Sequence, residues 1–265
     1  MKKDLLNTLR NPLVLKVKFI QSIILSLLVG GAYFSLGRDF SVSTSLTPQQ
    51  SQDFITLLGF FYFISVSGLM TTLSPISIVF PKERLVFLKE ESAGLYSTFA
   101  FFLSKNLIEF PVVVLIPLIS TLILYWMVGL DSNAGVFFTF YLAYFLISLT
   151  GNSLGLLLGS IIPDPKIVGL LVPVLLVPFI LFSGFFKNRS VLPVWIGWVE
   201  FLSPLKYVFI AFVRNELHEE EYQFLVETLN FDIELWPAIF ILLGLAVGFG
   251  GLSLLFLWLR RASLQ

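Results

Sequence analysis

Six long apolar runs set the rhythm of the chain: Phe19 to Leu36, Phe54 to Phe80, Thr98 to Val128, Gly135 to Ile162, Ile167 to Phe186 and Leu235 to Leu259. Each can cross about 30 Å of hydrocarbon, which takes roughly 20 helical residues. The runs are rich in Phe, Leu and paired Gly and lack a two-residue alternation, which argues against barrel strands of about half that length. The pattern predicts an all-α membrane protein with six transmembrane helices in one domain over residues 1–265. Ahead of the first run, Leu5, Leu9, Leu13 and Val17 recur every four residues among Lys2, Lys3, Arg10, Lys16 and Lys18. Residues 1–18 thus read as an amphipathic helix with a basic face, lying on the membrane surface. A cleaved signal peptide is the alternative for this start, but the following run is long for one.

The stretch Val191 to Phe212 is apolar enough to suggest a seventh span. Glu200 and Lys206 cut it, and Ser203-Pro204 breaks the backbone, leaving halves too short to cross alone. Charge placement decides. With six spans, Lys2, Lys3, Arg10, Lys16, Lys18, Lys82, Arg84, Lys89, Lys105, Lys166, Arg260 and Arg261 share one side, most of the 17 basic residues. The positive-inside tendency makes that side cytoplasmic, with both termini on it. A seventh span would move Arg260 and Arg261 out and Glu219, Glu220 and Glu221 in. Residues 187–234 are therefore expected outside, with 191–212 a re-entrant pair of short helices.

Composition agrees with the pattern: 57% of residues are hydrophobic and 13% charged, and the mean hydropathy is +0.90. A soluble core of this length could not hide so much apolar surface. The 17 basic and 17 acidic residues balance, so net charge gives no sign of a nucleic-acid partner. Cysteine is absent, which excludes disulfides and thiolate chemistry.

Between the second and third runs lies a charged island, residues 81–96, PKERLVFLKEESAGLY. Its charges must sit at a membrane face, and Leu85, Val86, Phe87 and Leu88 read as a short amphipathic helix lying flat there. Glu83, Arg84, Phe87, Glu90, Gly94 and Tyr96, followed by Phe101 or Phe102, Ser104, Lys105, Glu109 and Pro111, resemble the first intracellular loop and third span of G-subfamily ABC transporters. Leu9-Arg10-Asn11-Pro12 with Lys18 and Gln21 resembles that family's connecting helix. Gly184 to Phe186, Pro193, Trp195, Trp198, Ser203, Tyr207 and Asn215-Glu216-Leu217 resemble its outer re-entrant region. The resemblance implies that Glu83, Arg84, Phe87, Glu90, Glu91 and Gly94 form a coupling helix that receives the stroke of a nucleotide-binding ATPase domain.

No phosphate-binding loop, zincin motif or catalytic triad is present, and His218, the one histidine, lies in the acidic outer segment. No catalytic site and no metal site is expected in this chain. By the resemblance, ATP and Mg enter through a partner nucleotide-binding domain on another polypeptide or on a portion outside this sequence; a start at Met1 fits a separate subunit.

Candidate transport residues are fewer. Phe60, Phe63, Ser67, Met70, Thr71 and Ser74 share a mixed aromatic and hydroxyl stripe of the second run. Such a stripe suits either a cavity for an amphipathic molecule or packing between helices through small polar side chains. Gly151, Gly155 and Gly159 form a strip that admits another backbone. Glu109, with Lys105 one turn before it, reads as a paired structural charge. Phe185 and Phe186 follow Gly184 at the end of the fifth run, where rings from two protomers could close a lumen on a shared axis, or face lipid. The resemblance assigns them to a hydrophobic valve and places Val177 and Ile180 toward substrate, with Phe63, Ser67, Met70 and Thr71 the candidates from the second run. Asn188-Arg189-Ser190 is a glycosylation sequon very near a span end.

Together these features point to the membrane-spanning half of an ATP-driven exporter for a lipid, sterol or other hydrophobic compound. It would work with an ATPase domain or subunit and a second transmembrane half, as homo- or heterodimer, amid membrane lipid. A non-ABC channel or carrier, or a non-transporting membrane assembly subunit that keeps the fold, are the alternatives.

Overall fold

A computed structural model describes residues 12–39, 48–92, 97–185, 197–218, 224, 229 and 231–262. In chain order the helices are α1 (Pro12–Ala32), α2 (Leu36–Asp39), α3 (Pro48–Ser92), α4 (Thr98–Val128), α5 (Ala134–Ile161), α6 (Pro165–Leu181), α7 (Val199–Leu202), α8 (Pro204–Glu216) and α9 (Leu235–Ala262). No strand occurs among the described residues. Five helices, α1, α3, α4, α5 and α9, are long and apolar enough to cross a membrane; α6, with 17 residues, is a shorter apolar helix.

α5 is the axis of the packing. Every residue from Thr150 to Ser160 is buried, because α3, α4, α8 and α9 all lie against it. The glycine strip makes the closest of these approaches possible. A Cβ at Gly151 would stand 2.5 Å from the Leu69 carbonyl oxygen, and one at Gly155 would stand 2.9 Å from that of Leu73, so α3 presses its backbone on α5 at both positions. Hydroxyls clip the same seam: Thr72 Oγ1 donates to Ser148 O at 2.7 Å. Gly151→Val should destabilise the protein by about 1–3 kcal/mol through overpacking, read from denaturant unfolding in detergent. Gly244→Ala, whose new Cβ meets nothing within 4 Å, should stay close to wild type.

Three boundaries differ from the sequence reading. The basic segment and the first run are not separate elements from Pro12 onward: α1 runs unbroken to Ala32, and residues 1–11 lie outside the described residues. The second run and the charged island as far as Ser92 are one helix of 45 residues, about 68 Å long at 1.5 Å per residue. The island is therefore not a separate helix lying flat. Pro75 and Pro81 each remove one backbone hydrogen bond without ending α3, because side chains beyond Pro81 find partners inside the protein. Finally, α6 stops at Leu181 rather than Phe186. The Phe182 amide donates to Pro178 O at 2.9 Å, Ser183 Oγ donates to Ile180 O at 2.8 Å, and Gly184 turns left-handed at φ +89°.

The break at Ser203-Pro204 falls between α7 and α8, with Pro204 in the first turn of α8 where its missing N–H costs nothing. α8 is buried nearly all round. Its Lys206 ammonium pairs with the Glu200 carboxylate on α7, both side chains less than 10% exposed. The two charges that cut the hydrophobic run are thus each other's partners.

Candidate functional site

Charges gather at the two ends of the bundle, and the end formed by the last turns of α3 is the more tightly built. Lys105 on α4 lies 2.8 Å from Glu83 on α3 and 3.4 Å from Glu109 one turn along, and Glu109 lies 3.4 Å from Lys18 on α1. Three helices are cross-linked by this one network, and Glu109 has the paired role expected of it. Arg84 is almost completely buried and its guanidinium donates to the carbonyls of Gly159 and Ser160 at the C-terminal turn of α5. Residue 163 would normally donate to the Gly159 carbonyl, but it is Pro163 and has no N–H. Arg84 supplies that hydrogen bond and meets the negative end of the helix dipole with a positive charge.

Phe87 is fully buried, stacked on Phe101 with ring centroids 4.3 Å apart in a cluster with Ile76, Phe80, Leu156 and Leu257. Arg84 and Phe87 therefore face the protein and are not available as contacts for a partner. Glu90 and Glu91 are half-buried, and Glu91 Oε1 accepts from Thr98 Oγ1 at 2.6 Å. Gly94 lies outside the described residues. The outward face is Lys82, Leu85, Val86 and Lys89, all exposed, at the i, i+3, i+4, i+7 spacing of one helical stripe. The amphipathic reading of Leu85 to Leu88 puts all four apolar residues on one face, whereas Leu85 and Val86 point out with the lysines and Phe87 points in.

The proposed cavity residues divide. Ser67 and Thr71 line a small crevice with Ser22, Ser26, Ser120 and Tyr144, where Ser22 and Ser120 hydroxyls lie 2.7 Å apart. Their own hydroxyls donate to carbonyls of Ile64 and Ser67 on the same helix. Met70 is half-buried in the core, Phe63 and Val177 are exposed, and Ile180 is half-buried with its carbonyl accepting from Tyr62. Phe185 stacks on Tyr62 at 4.7 Å and meets Phe209 edge-on at 5.8 Å, so its ring is anchored within this chain. Phe186 and Asn188 lie outside the described residues.

The opposite end holds a feature that sequence reasoning missed, a cavity of about 640 Å³ where α2, α4, α5 and α8 converge, with Leu57 of α3 in its wall. Glu216 Oε1 accepts from the Asp131 amide at 2.8 Å, and Tyr125 donates its hydroxyl to the Asp131 carbonyl. Burial pushes the Glu216 carboxyl up to about 7, and the Asp131 charge adds to this against the lowering effect of the Asp131 amide. His218 also lines the cavity, 3.8 Å from Asp131, with its side chain 42% exposed. Residues 85 positions apart meet here, and no local spacing announces such a meeting.

The ABC-2 type transporter family model matches residues 1–217. Among relatives, ABC transporter G family member 1 of Dictyostelium discoideum is 31% identical over 98% of this chain and 34% of its own length. The broad substrate specificity ATP-binding cassette transporter ABCG2 of Rattus norvegicus is 28% identical over 82% of this chain and 31% of its own length. Protein white of Drosophila melanogaster is 27% identical over 82% of this chain and 30% of its own length. The chain spans about a third of the length of these curated relatives. With the match covering most of its residues, and with an all-helical membrane fold, the chain belongs to the ABC-2 type transporter family and corresponds to its membrane domain.

Proposed function

We propose that this chain is the membrane-spanning half of an ATP-driven exporter for a lipid, sterol or other hydrophobic compound, and that ATP and Mg act through a partner nucleotide-binding domain. The observation that carries the reading is the single helix α3. Its span continues without a break into an exposed stripe of Lys82, Leu85, Val86 and Lys89, while Arg84 and Phe87 lock the opposite side to α5 and α4. A push on that stripe reaches the membrane-embedded part of α3 as a rigid displacement. An apolar pair flanked by two lysines suits a partner surface with an apolar groove and acidic rim. This end is then the cytoplasmic one, with both termini on that side and residues 187–234 outside.

A second transmembrane half meets the first along α3 and α6, which pack together and leave Phe63 and Val177 exposed. Phe185, held by Tyr62 and Phe209, would stand above that face as part of an outer gate.

The test is isolation from native membrane followed by reconstitution with the ATPase that accompanies the chain. ATP-dependent efflux of a hydrophobic probe supports the proposal. The double variant Leu85→Asp/Val86→Asp should insert normally yet lose about tenfold or more of the efflux, the scale of 1.4 kcal/mol at the contact. A stable native complex containing no P-loop ATPase would overturn the transport reading in favour of an assembly subunit.

A further inference from the structure

The cavity at the α2, α4, α5 and α8 end has no part in the proposed coupling or in the α3–α6 face. Its walls are Tyr125, Trp126, Phe137 and four leucines, and its charged and imidazole groups are Arg38, Asp131, Glu216 and His218, with Ser132 beside them. Trp126 near the end of α4 and Trp236 near the start of α9 are both exposed. Exposed tryptophans at one end of a helical bundle mark the boundary between hydrocarbon and headgroups. The cavity thus opens at headgroup depth with an apolar wall toward the membrane.

Its polar lining separates by charge. Glu216 Oε2 is buried and has no hydrogen-bond partner among the described residues, although Oε1 is satisfied by the Asp131 amide. A buried acceptor left open is costly unless a donor enters. Arg38, on α2, lies across Gly129 through its aliphatic stem: a Cβ at Gly129 would meet Arg38 Cγ at 2.5 Å. Its Nε lies 2.9 Å from the same Cβ position, so the near end of the guanidinium is also held against Gly129, in the cavity lining where it can meet an anionic oxygen.

We propose that this cavity seats the head of a zwitterionic aminophospholipid, with a primary ammonium donating to Glu216 and its phosphate at Arg38, while the acyl chains run along Trp126 and Leu122. The open acceptor selects a primary ammonium over a quaternary one, because only the first carries N–H donors. A headgroup with an additional carboxylate would face Asp131 and Glu216 unfavourably. The volume lies within the range of small-molecule pockets.

The groups that set the charge of this site are Arg38 from α2, Asp131 from the α4–α5 turn, Glu216 from α8 and His218 just beyond it. Glu216 loses its charge as pH falls through about 7. Ammonium binding should weaken over the same interval. Repeating the measurement in a His218→Gln background isolates the part due to Glu216.

The experiment places purified protein in nanodiscs of equal parts phosphatidylethanolamine, phosphatidylcholine and phosphatidylglycerol, and counts retained lipid by native mass spectrometry. Phosphatidylethanolamine should be retained over the other two by about tenfold, the scale of one charge-assisted contact. Glu216→Gln and Arg38→Gln should each remove most of that preference. Trp126→Ala, at an exposed position, should reduce retention without altering headgroup preference, so the proposal does not depend on one variant folding. Equal retention of the three lipids, or a preference unchanged in both Glu216→Gln and Arg38→Gln, would overturn it. So would dodecylamine displacing the lipid equally well from wild type and Arg38→Gln, since the site would then read an amine alone. None of these readouts requires ATP or an ATPase, so they stand or fall apart from transport.

Discussion

Replacing Glu200 by Ala should cost about 3–5 kcal/mol of stability, the typical penalty for leaving a buried charge without its partner. Lys206 sits on α8, which is buried nearly all round, and its ammonium pairs with the Glu200 carboxylate and lies over the Phe201 ring, 5.5 Å from its centroid. Without Glu200, the ammonium loses the carboxylate that balances it. Ser203 Oγ, which donates to Phe179 O at 2.9 Å, would still tie the break between α7 and α8 to the end of α6. The loss should therefore appear as lowered resistance to denaturant in detergent, without a change in helix content. Glu200→Leu combined with Lys206→Met should recover most of the stability, since a buried ion pair exchanged for apolar groups is often neutral or better. A single Glu200→Ala variant as stable as wild type would mean that water reaches Lys206 and that the pair is not truly interior.

Much of this fold was legible because a membrane restricts the options to long apolar helices. The runs beginning at Thr98 and Leu235 begin their helices at those residues, and Ser203-Pro204 breaks the outer segment where it was expected to. The strip Gly151, Gly155 and Gly159 announced a close backbone approach, though not that α3 would make it. Pro81 misled because proline next to charge usually marks a helix end. Here its lost hydrogen bond is outweighed by the contacts of the next two turns, Arg84 on the α5 carbonyls and Phe87 in an aromatic cluster. Those partners are about 75 and 14 positions away in sequence, Gly159 and Phe101 respectively, so no local rule could weigh them against the proline. Glu216 and Asp131 show the same limit. In the sequence Glu216 stands out only as part of Asn215-Glu216-Leu217 and Asp131 not at all, and only their convergence creates the cavity.

Arg84→Ala should loosen the joint between α3 and α5 and disconnect the exposed stripe from the membrane. The variant removes a charge-assisted donor from two carbonyls, one of which faces Pro163 and has no backbone alternative. A hydrogen bond to a charged group is worth about 1.5–3 kcal/mol, and the emptied side-chain volume lies beside the packed Phe80 and Gly159 contact. The expected consequence is local before it is global. Amide hydrogen exchange should rise at Ile161 and Ile162 and along residues 82–92, while the amides of Asp131 and Leu217 at the other end keep their protection. Arg84→Lys keeps the charge but presents a single ammonium where a planar fork reached two carbonyls, and should fall between wild type and Ala. On the coupling proposed above, Arg84→Ala in the chain reconstituted with its accompanying ATPase should leave ATP hydrolysis running while efflux falls, because the stripe would still dock but its displacement would be absorbed at the loosened joint. Unchanged exchange at Ile161 and Ile162 would refute the capping role. Raised exchange there with full ATP-driven efflux would show instead that Arg84 serves stability and that the stroke travels by another route, through the Lys105 network on α4.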